Sequence, residues 1–358
     1  MREANEIKFG IEFECYIPYE VSRAISQGTR SHPRAVPGMP DGWKSKTDGS
    51  ITGGAPSGYT GVEFMSEPMS GVEGLNSVKK ACEWLQNHRT RVNKKCGVHI
   101  HIHWTAPQLK TLKRLVYLVS NHEDALYGVT GSPHRKFDTI YSRPIKGKVK
   151  TGRWTTSRTT IPGHVTDRYQ TLNLQNLLND VRPTVEFRVF AGTINPLKMV
   201  TYIQMCIGLV QKAERCKKTA TADYLPANTN THRDRWYEWE VSRFFSRFGW
   251  KKSPLRNDGS PAFPTLGLIE GCEYSVKSMM KEAKRLAKKF QQNMTDNHRT
   301  MDRRSDGVNA DPDHSPDDYV TAVRTYPQGH DEPIVEYGIR IRAAATTAAR
   351  LRRTAGLS

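Results

Sequence analysis

Six cysteines occur, Cys15, Cys82, Cys96, Cys206, Cys216 and Cys272, and none stands in a CxxC pair. Such spacing supplies neither a zinc knuckle nor a disulfide framework, so a reducing compartment is expected. No apolar run is long enough to span a bilayer. The opening residues, MREANEIKFG, lack the apolar centre of a secretory leader. The expectation is a cytoplasmic chain with no membrane partner. Acidic residues are outnumbered: 36 Asp plus Glu stand against 54 Lys plus Arg, a formal charge of +18. A surface of that sign attracts polyanions, which leaves an anionic polymer as a possible partner. No internal repeat is visible.

What the chain does contain is strand periodicity with chemistry on one face. In IKFGIEFECYI (7–17), Ile7, Phe9, Ile11, Phe13 and Cys15 share one side, and Glu12 and Glu14 the other. GVEFMSE (61–67) is a second strand candidate, carrying Glu63. In CGVHIHIHW (96–104), Val98, Ile100 and Ile102 oppose His99, His101 and His103. Thr171–Leu178 and Pro183–Phe190 read as a strand pair, the latter with Thr184, Glu186 and Arg188 opposite Val185, Phe187 and Val189. Amphipathic helices are expected over Ser70–Asn87, Pro107–Tyr127, Asn195–Lys217, Arg233–Phe248 and Cys272–Met294. Residues 18–60 read mostly as loop, with a short helix near Tyr19–Ile25. The stretch 131–167 reads as a long basic loop, a candidate lid that excludes water.

Carboxylates two apart on a strand point the same way, roughly 7 Å apart. Crowding Glu12, Glu14, Glu63 and Glu186 with His99 and Arg188 is costly unless cations resolve the repulsion. Carboxylate oxygens with an occasional imidazole suit Mg²⁺ or Mn²⁺ better than Zn²⁺. Acidic metal ligands beside an arginine are what phosphoryl transfer from ATP requires. Cys96 lies beside the histidine strand and reads as core. Lys46 reads as a solvated lysine.

FGIEFE (9–14), DGS (48–50), VEFMSEP (62–68), CGVHIHI (96–102), RYQTLNL (168–174) and TVEFRVFAGT (184–193) together resemble the amidoligase family, a branch of the glutamine synthetase and glutamate–cysteine ligase superfamily. The resemblance covers residues 7 to about 195 in the family's order. It implies an α+β fold: a glutamine-synthetase-like curved, mainly antiparallel sheet with helices packed on the outer face. It implies an ATP-dependent carboxylate–amine ligase that passes through an acyl phosphate. By position in the motifs, Glu12, Glu14, Glu63, His99 and Glu186 match metal ligands. His99 also matches a contact to nucleotide phosphate, and Arg188 the arginine near the transferred phosphate. Glu186, Arg188 and Arg168 are the catalytic candidates; Asn173 and Ser50 join His99 and Arg188 at the nucleotide. Asp48, Arg168 and His101 are the substrate candidates, with Asp48 and Ser50 equally readable as turn formers.

The implied substrates are a small-molecule or peptide carboxylate and an amine. The expected organisation is a catalytic core over 1–222, a helical extension over 223–295 that packs on or completes it, and a disordered linker with a basic C-terminal segment over 296–358. Two other readings compete. RDRWYEWEVSRFFSRFGW (233–250) interleaves arginine with aromatics, as a single-strand nucleic-acid binder would, which suits an inactive, virion-associated protein on the same fold. Trp236, Trp239, Arg243 and Phe244 also stand at the spacing of a packed helix face. A zinc hydrolase built on HIHIH lacks a helical HExxH and a cysteine ligand set.

Overall fold

The computed structural model describes residues 2–105, 107–145, 167–179, 181–216, 234–251 and 265–305. The chain divides into two units, Met1–Thr295 and Asp296–Ser358. In the second, the described structure is one helix, α10 (Asp296–Ser305).

The first unit is built on a seven-stranded sheet in the order β2-β3-β4-β1-β5-β7-β6, with every neighbouring pair antiparallel. The strands are β1 (Phe9–Pro18), β2 (Arg34–Ala35), β3 (Trp43–Thr47), β4 (Tyr59–Ser66), β5 (Gly97–His103), β6 (Leu172–Asn173) and β7 (Thr184–Ala191). Short helices α1 (Tyr19–Ala24), α2 (Gly49–Thr52), α5 (His134–Phe137) and α6 (Gln175–Leu178) sit in the connections. The long helices are α3 (Gly71–Asn87), α4 (Leu109–Gly128), α7 (Pro196–Arg215), α8 (Trp236–Arg247) and α9 (Val276–Gln292).

Alternation decides which face is covered. Phe9, Ile11, Phe13 and Cys15 of β1, with Val98, Ile100 and Ile102 of β5 and Val185 and Phe187 of β7, are buried in one apolar cluster. That cluster also takes in Leu75, Val78 and Leu85 of α3, Val116 and Val119 of α4, and Met199, Ile203 and Val210 of α7. The α+β class, the antiparallel sheet and the helices on its apolar face agree with expectation. α7 starts where Asn195 accepts a hydrogen bond from the Lys198 amide at 3.0 Å and Pro196 occupies the first turn. Ser275 caps α9 in the same way, accepting from the Ser278 amide at 3.1 Å.

Three features depart from the alternation pattern. β3 lies inside the expected loop 18–60; only Trp43 and Ser45 of it are buried, too few apolar residues to announce a strand. Residues 171–178 hold a two-residue strand followed by α6 rather than a full strand. In β7 the register slips: Val98 pairs with Phe190 but Ile100 with Phe187, so two residues, Arg188 and Val189, lie opposite His99. This β-bulge lets Phe187 and Phe190, three apart, both face the core, where Phe190 stacks on Tyr202 with ring centroids 4.3 Å apart.

Residues 131–145 are not a solvated loop. Arg135 and Lys136 are 2% and 4% exposed. The Lys136 Nζ donates to Asp124 Oδ1 at 2.9 Å and to the Tyr237 hydroxyl at 3.0 Å. The Trp236 indole donates to Asp124 Oδ2 at 3.1 Å. A buried ion pair thus pins α8 to α4 and α5. The remainder of the proposed lid, 146–166, lies outside the described residues, as do 217–233 and 306–358. Within the aromatic stretch, α8 is a packed helix: Phe244, Phe245 and the following Phe248 are fully buried, and the Arg243 guanidinium donates to Glu240 Oε2 and to the Asn121 carbonyl at 2.6 Å. Among the described residues, no helix is long and apolar enough to cross a membrane.

Removing one member of a buried pair strands the other. Lys136→Met is expected to destabilise the chain by about 3–5 kcal/mol in urea unfolding. Adding Asp124→Asn to it is expected to cost less than the sum of the two single changes.

Candidate active site

The sheet face opposite the helices carries the polar side chains, and strand register sets their order. Lys46 of β3 pairs in register with Glu63 of β4, and Glu63 with Glu14 of β1. Glu12 of β1 pairs with His99 of β5. His101 pairs with Glu186 of β7, and Glu186 with Asn173 of β6. Residues distant in sequence are adjacent because antiparallel pairing puts the same-parity positions on one face.

The side chains converge. His99 Nδ1 is 3.1 Å from Glu12 Oε2 and 3.5 Å from Glu186 Oε1, while His99 Nε2 is 3.5 Å from Glu14 Oε1. One ligand atom from each of Glu12, His99 and Glu186 lies within 4.8 Å of the other two. His101 Nε2 approaches Glu12 Oε1 to 3.1 Å. Arg188 Nη1 donates to Glu186 Oε1, and Asn173 Nδ2 donates to Glu186 Oε2 at 2.6 Å. Glu14 Oε2 accepts from the Gly97 amide at 2.6 Å, and Lys46 Nζ pairs with Glu63 Oε1 at 2.7 Å.

Burial and neighbours tune these groups in opposite directions. Burial opposes ionisation of Glu12, but His101 and His99 outweigh it and hold the carboxyl well below its ordinary value. Burial likewise works against a charged Glu186, and His101, Arg188 and His99 overcome it. For His101, burial favours the neutral ring, yet Glu12 raises it. Glu63 behaves otherwise: burial, aided by repulsion from Glu12, pushes it up to about 7 even with Lys46 beside it. Burial pushes the Cys96 thiol up to about 11, so it is no nucleophile and belongs with the core as read from the sequence.

The donor set suits a hard divalent cation. Two carboxylates and an imidazole from three strands converge, and His99 Nε2 is buried without a hydrogen bond.

The family described as "Putative amidoligase enzyme" matches residues 5–210. The chain belongs to this family. Amidoligases are C–N bond-forming ligases, and the matched stretch contains every member of the Glu12–His99–Glu186 cluster together with Arg188 and Asn173. No curated protein matches the chain. Among solved structures, the crystal structure of the complex between the prokaryotic ubiquitin-like protein Pup and its ligase PafA aligns at 11% identity over 94% of this chain and 73% of that one, with a TM-score of 0.38. A GmaS/ADP complex aligns at 11% identity over 84% and 72%, with a TM-score of 0.34.

The other sequence candidates of this amidoligase are placed as follows. Asp48 and Ser50 bond to each other at the start of α2, where Asp48 Oδ1 accepts from the Ser50 amide at 2.8 Å and its hydroxyl at 2.7 Å. Arg168 is exposed, with its guanidinium 5.2 Å from the centre of the Tyr169 ring. His103 lies at the end of β5, with Nε2 3.3 Å from the Thr105 hydroxyl. Lys46 is not a free solvated lysine but the partner of Glu63. Its position before the DGS motif, alternating with buried Trp43 and Ser45, is the signal that would have marked it. Arg135, beside Glu14, also escaped the sequence reading, because nothing in a polar stretch distinguishes a buried arginine from a solvated one.

The Glu63 carboxyl has a folded-state pKa above its ordinary 4.5, so the fold favours its neutral form. That contribution to stability is complete below about 4.5 and is lost as pH rises through about 7. In a chelator-containing buffer, the melting temperature of Glu63→Gln is expected to gain on that of the parent between about pH 5 and about pH 8. A constant difference across that range would show that Glu63 titrates normally.

Proposed function

We propose that the chain is an ATP-dependent carboxylate–amine ligase that works through an acyl phosphate. The observation that carries this reading is the convergence of Glu12, His99 and Glu186 with Arg188 bonded to Glu186. Glu12, His99 and Glu186 would hold a divalent cation, Mg²⁺ or Mn²⁺, with Glu14 and Glu63 at its flanks. Bound cations supply neutralisation of the ATP phosphate oxygens.

The residues do the rest by holding and orienting. Asn173 and Arg188 grip the two oxygens of Glu186 and fix its carboxylate plane. The remaining guanidinium donors of Arg188 are available to the transferring phosphoryl group. A substrate carboxylate oxygen attacks the γ-phosphorus and ADP leaves. The amine nitrogen then attacks the acyl carbon, phosphate leaves with the C–O electron pair, and the nitrogen gives up a proton to the departing phosphate as the amide forms. No side-chain nucleophile is required. Arg168 and His101 are substrate candidates, and Ser50 a nucleotide candidate. The acid and amine are of small-molecule or peptide class.

The rival reading, a nucleic-acid binder without turnover, keeps less of its aromatic platform, since Phe244, Phe245 and Phe248 are consumed in packing while Trp236 and Trp239 stack half-buried. Its remaining support is that tryptophan pair and the net charge.

The test is ATP turnover with Mg²⁺ in the parent and in Glu186→Gln. We expect Glu186→Gln to fold, with a lowered melting temperature because Arg188 loses its buried partner, and to lose turnover by about 100-fold. Equal turnover in both would overturn the role given to Glu186, and turnover in neither with salt-sensitive DNA binding would favour the rival.

A further inference from the structure

Arg135 is 2% exposed, and its guanidinium is spent on a backbone group. Nε and Nη2 both donate to the Arg188 carbonyl, at 3.2 and 2.9 Å. Burial works against the charge on Arg135, and the Glu14 carboxylate beside it compensates in part. A Cβ at Gly97 would stand 2.5 Å from Arg135 Nη2 and 3.0 Å from Glu14 Oε2, so a side chain there would drive the guanidinium out.

The contact is reciprocated. Arg188 Nε donates to the Tyr141 carbonyl at 3.2 Å, and the Ser142 hydroxyl donates to the Arg135 carbonyl at 2.6 Å. The 135–142 segment therefore holds Arg188 by both its main chain and its side chain. Arg188 needs such a hold, because it sits in the bulge, where regular pairing with β5 is interrupted.

We propose that Arg135 is a positioning residue: by gripping the Arg188 carbonyl at the bulge, it aims the Arg188 guanidinium at Glu186 and His99. What Arg188 meets there rests on the ligase reading above. The aiming itself does not.

Two measurements on the full chain test this. The first is calorimetric titration with ADP in magnesium buffer of the parent, Arg135→Met, Arg188→Met and the double variant. Arg135→Met is expected to weaken ADP about tenfold or more in the parent background. With Arg188 already Met, it is expected to weaken ADP less than about twofold, because the two act as one unit. An equal loss in both backgrounds, or none in the parent, overturns the proposal. The second needs no nucleotide. The Arg188 Nε–H resonance in ¹⁵N spectra, assigned by its loss in Arg188→Lys, should shift and broaden in Arg135→Met, and an unchanged resonance overturns the proposal. A parent that binds no ADP sinks the ligase reading while the spectrum still decides on Arg135. If Arg135→Met does not fold, Arg135→Lys, which keeps the charge but not the planar fork, is expected to give the same pattern in weaker form. Parent-like affinity and spectrum in that variant overturn the proposal equally.

Discussion

Four carboxylates, those of Glu12, Glu14, Glu63 and Glu186, are gathered on one largely buried sheet face, and like charges at such range repel. At about 4 Å, a pair costs about 4 kcal/mol even at an effective dielectric constant of about 20. The chain answers with cations and donors placed by register: His99 and His101 against Glu12, Arg188 and Asn173 against Glu186, the Gly97 amide against Glu14, Lys46 against Glu63. Compensation is uneven. Glu12 and Glu186 are held ionised, whereas Glu63 is poised near neutrality. That inequality makes the face receptive to further positive charge rather than already satisfied.

The same face depends on parts of the chain that carry no chemistry. Family similarity ends at residue 210, yet α8 and α9 pack with α4 and α7 in one apolar cluster. The Asp124–Lys136 pair, bonded to Trp236 and Tyr237, fixes the segment next to Arg135. The helical region beyond the matched stretch therefore supports the wall from which Arg188 is held, within a first unit that spans Met1–Thr295.

Much of the sheet was legible because alternation is a local signal. β1, β5 and the first half of β7 each separate Ile, Val and Phe from Glu, His and Arg at a strict period of two, and the site is the polar half of that separation. What was not legible depended on distant partners. β3 has a single large apolar residue and is recruited by pairing with β4. The 171–178 stretch has strand-like residues but turns helical after Asn173, whose carbonyl oxygen Oδ1 accepts from the Gln175 amide at 3.0 Å. Arg135 and Lys136 look like surface residues until Arg188 and Asp124 are seen opposite them. The order of the motifs pointed to the family, but not to the clasp around Arg188.

The extra residue in β7 is a discrete feature, since a strand either has it or has not. Upstream of it, even-numbered positions point to the polar face; downstream, Phe190 takes the core side instead. Shortening the strand by one residue there would force a choice between exposing an aromatic ring and misdirecting a guanidinium. A length change of one in this strand therefore alters two faces of the sheet at once, where a point substitution alters one.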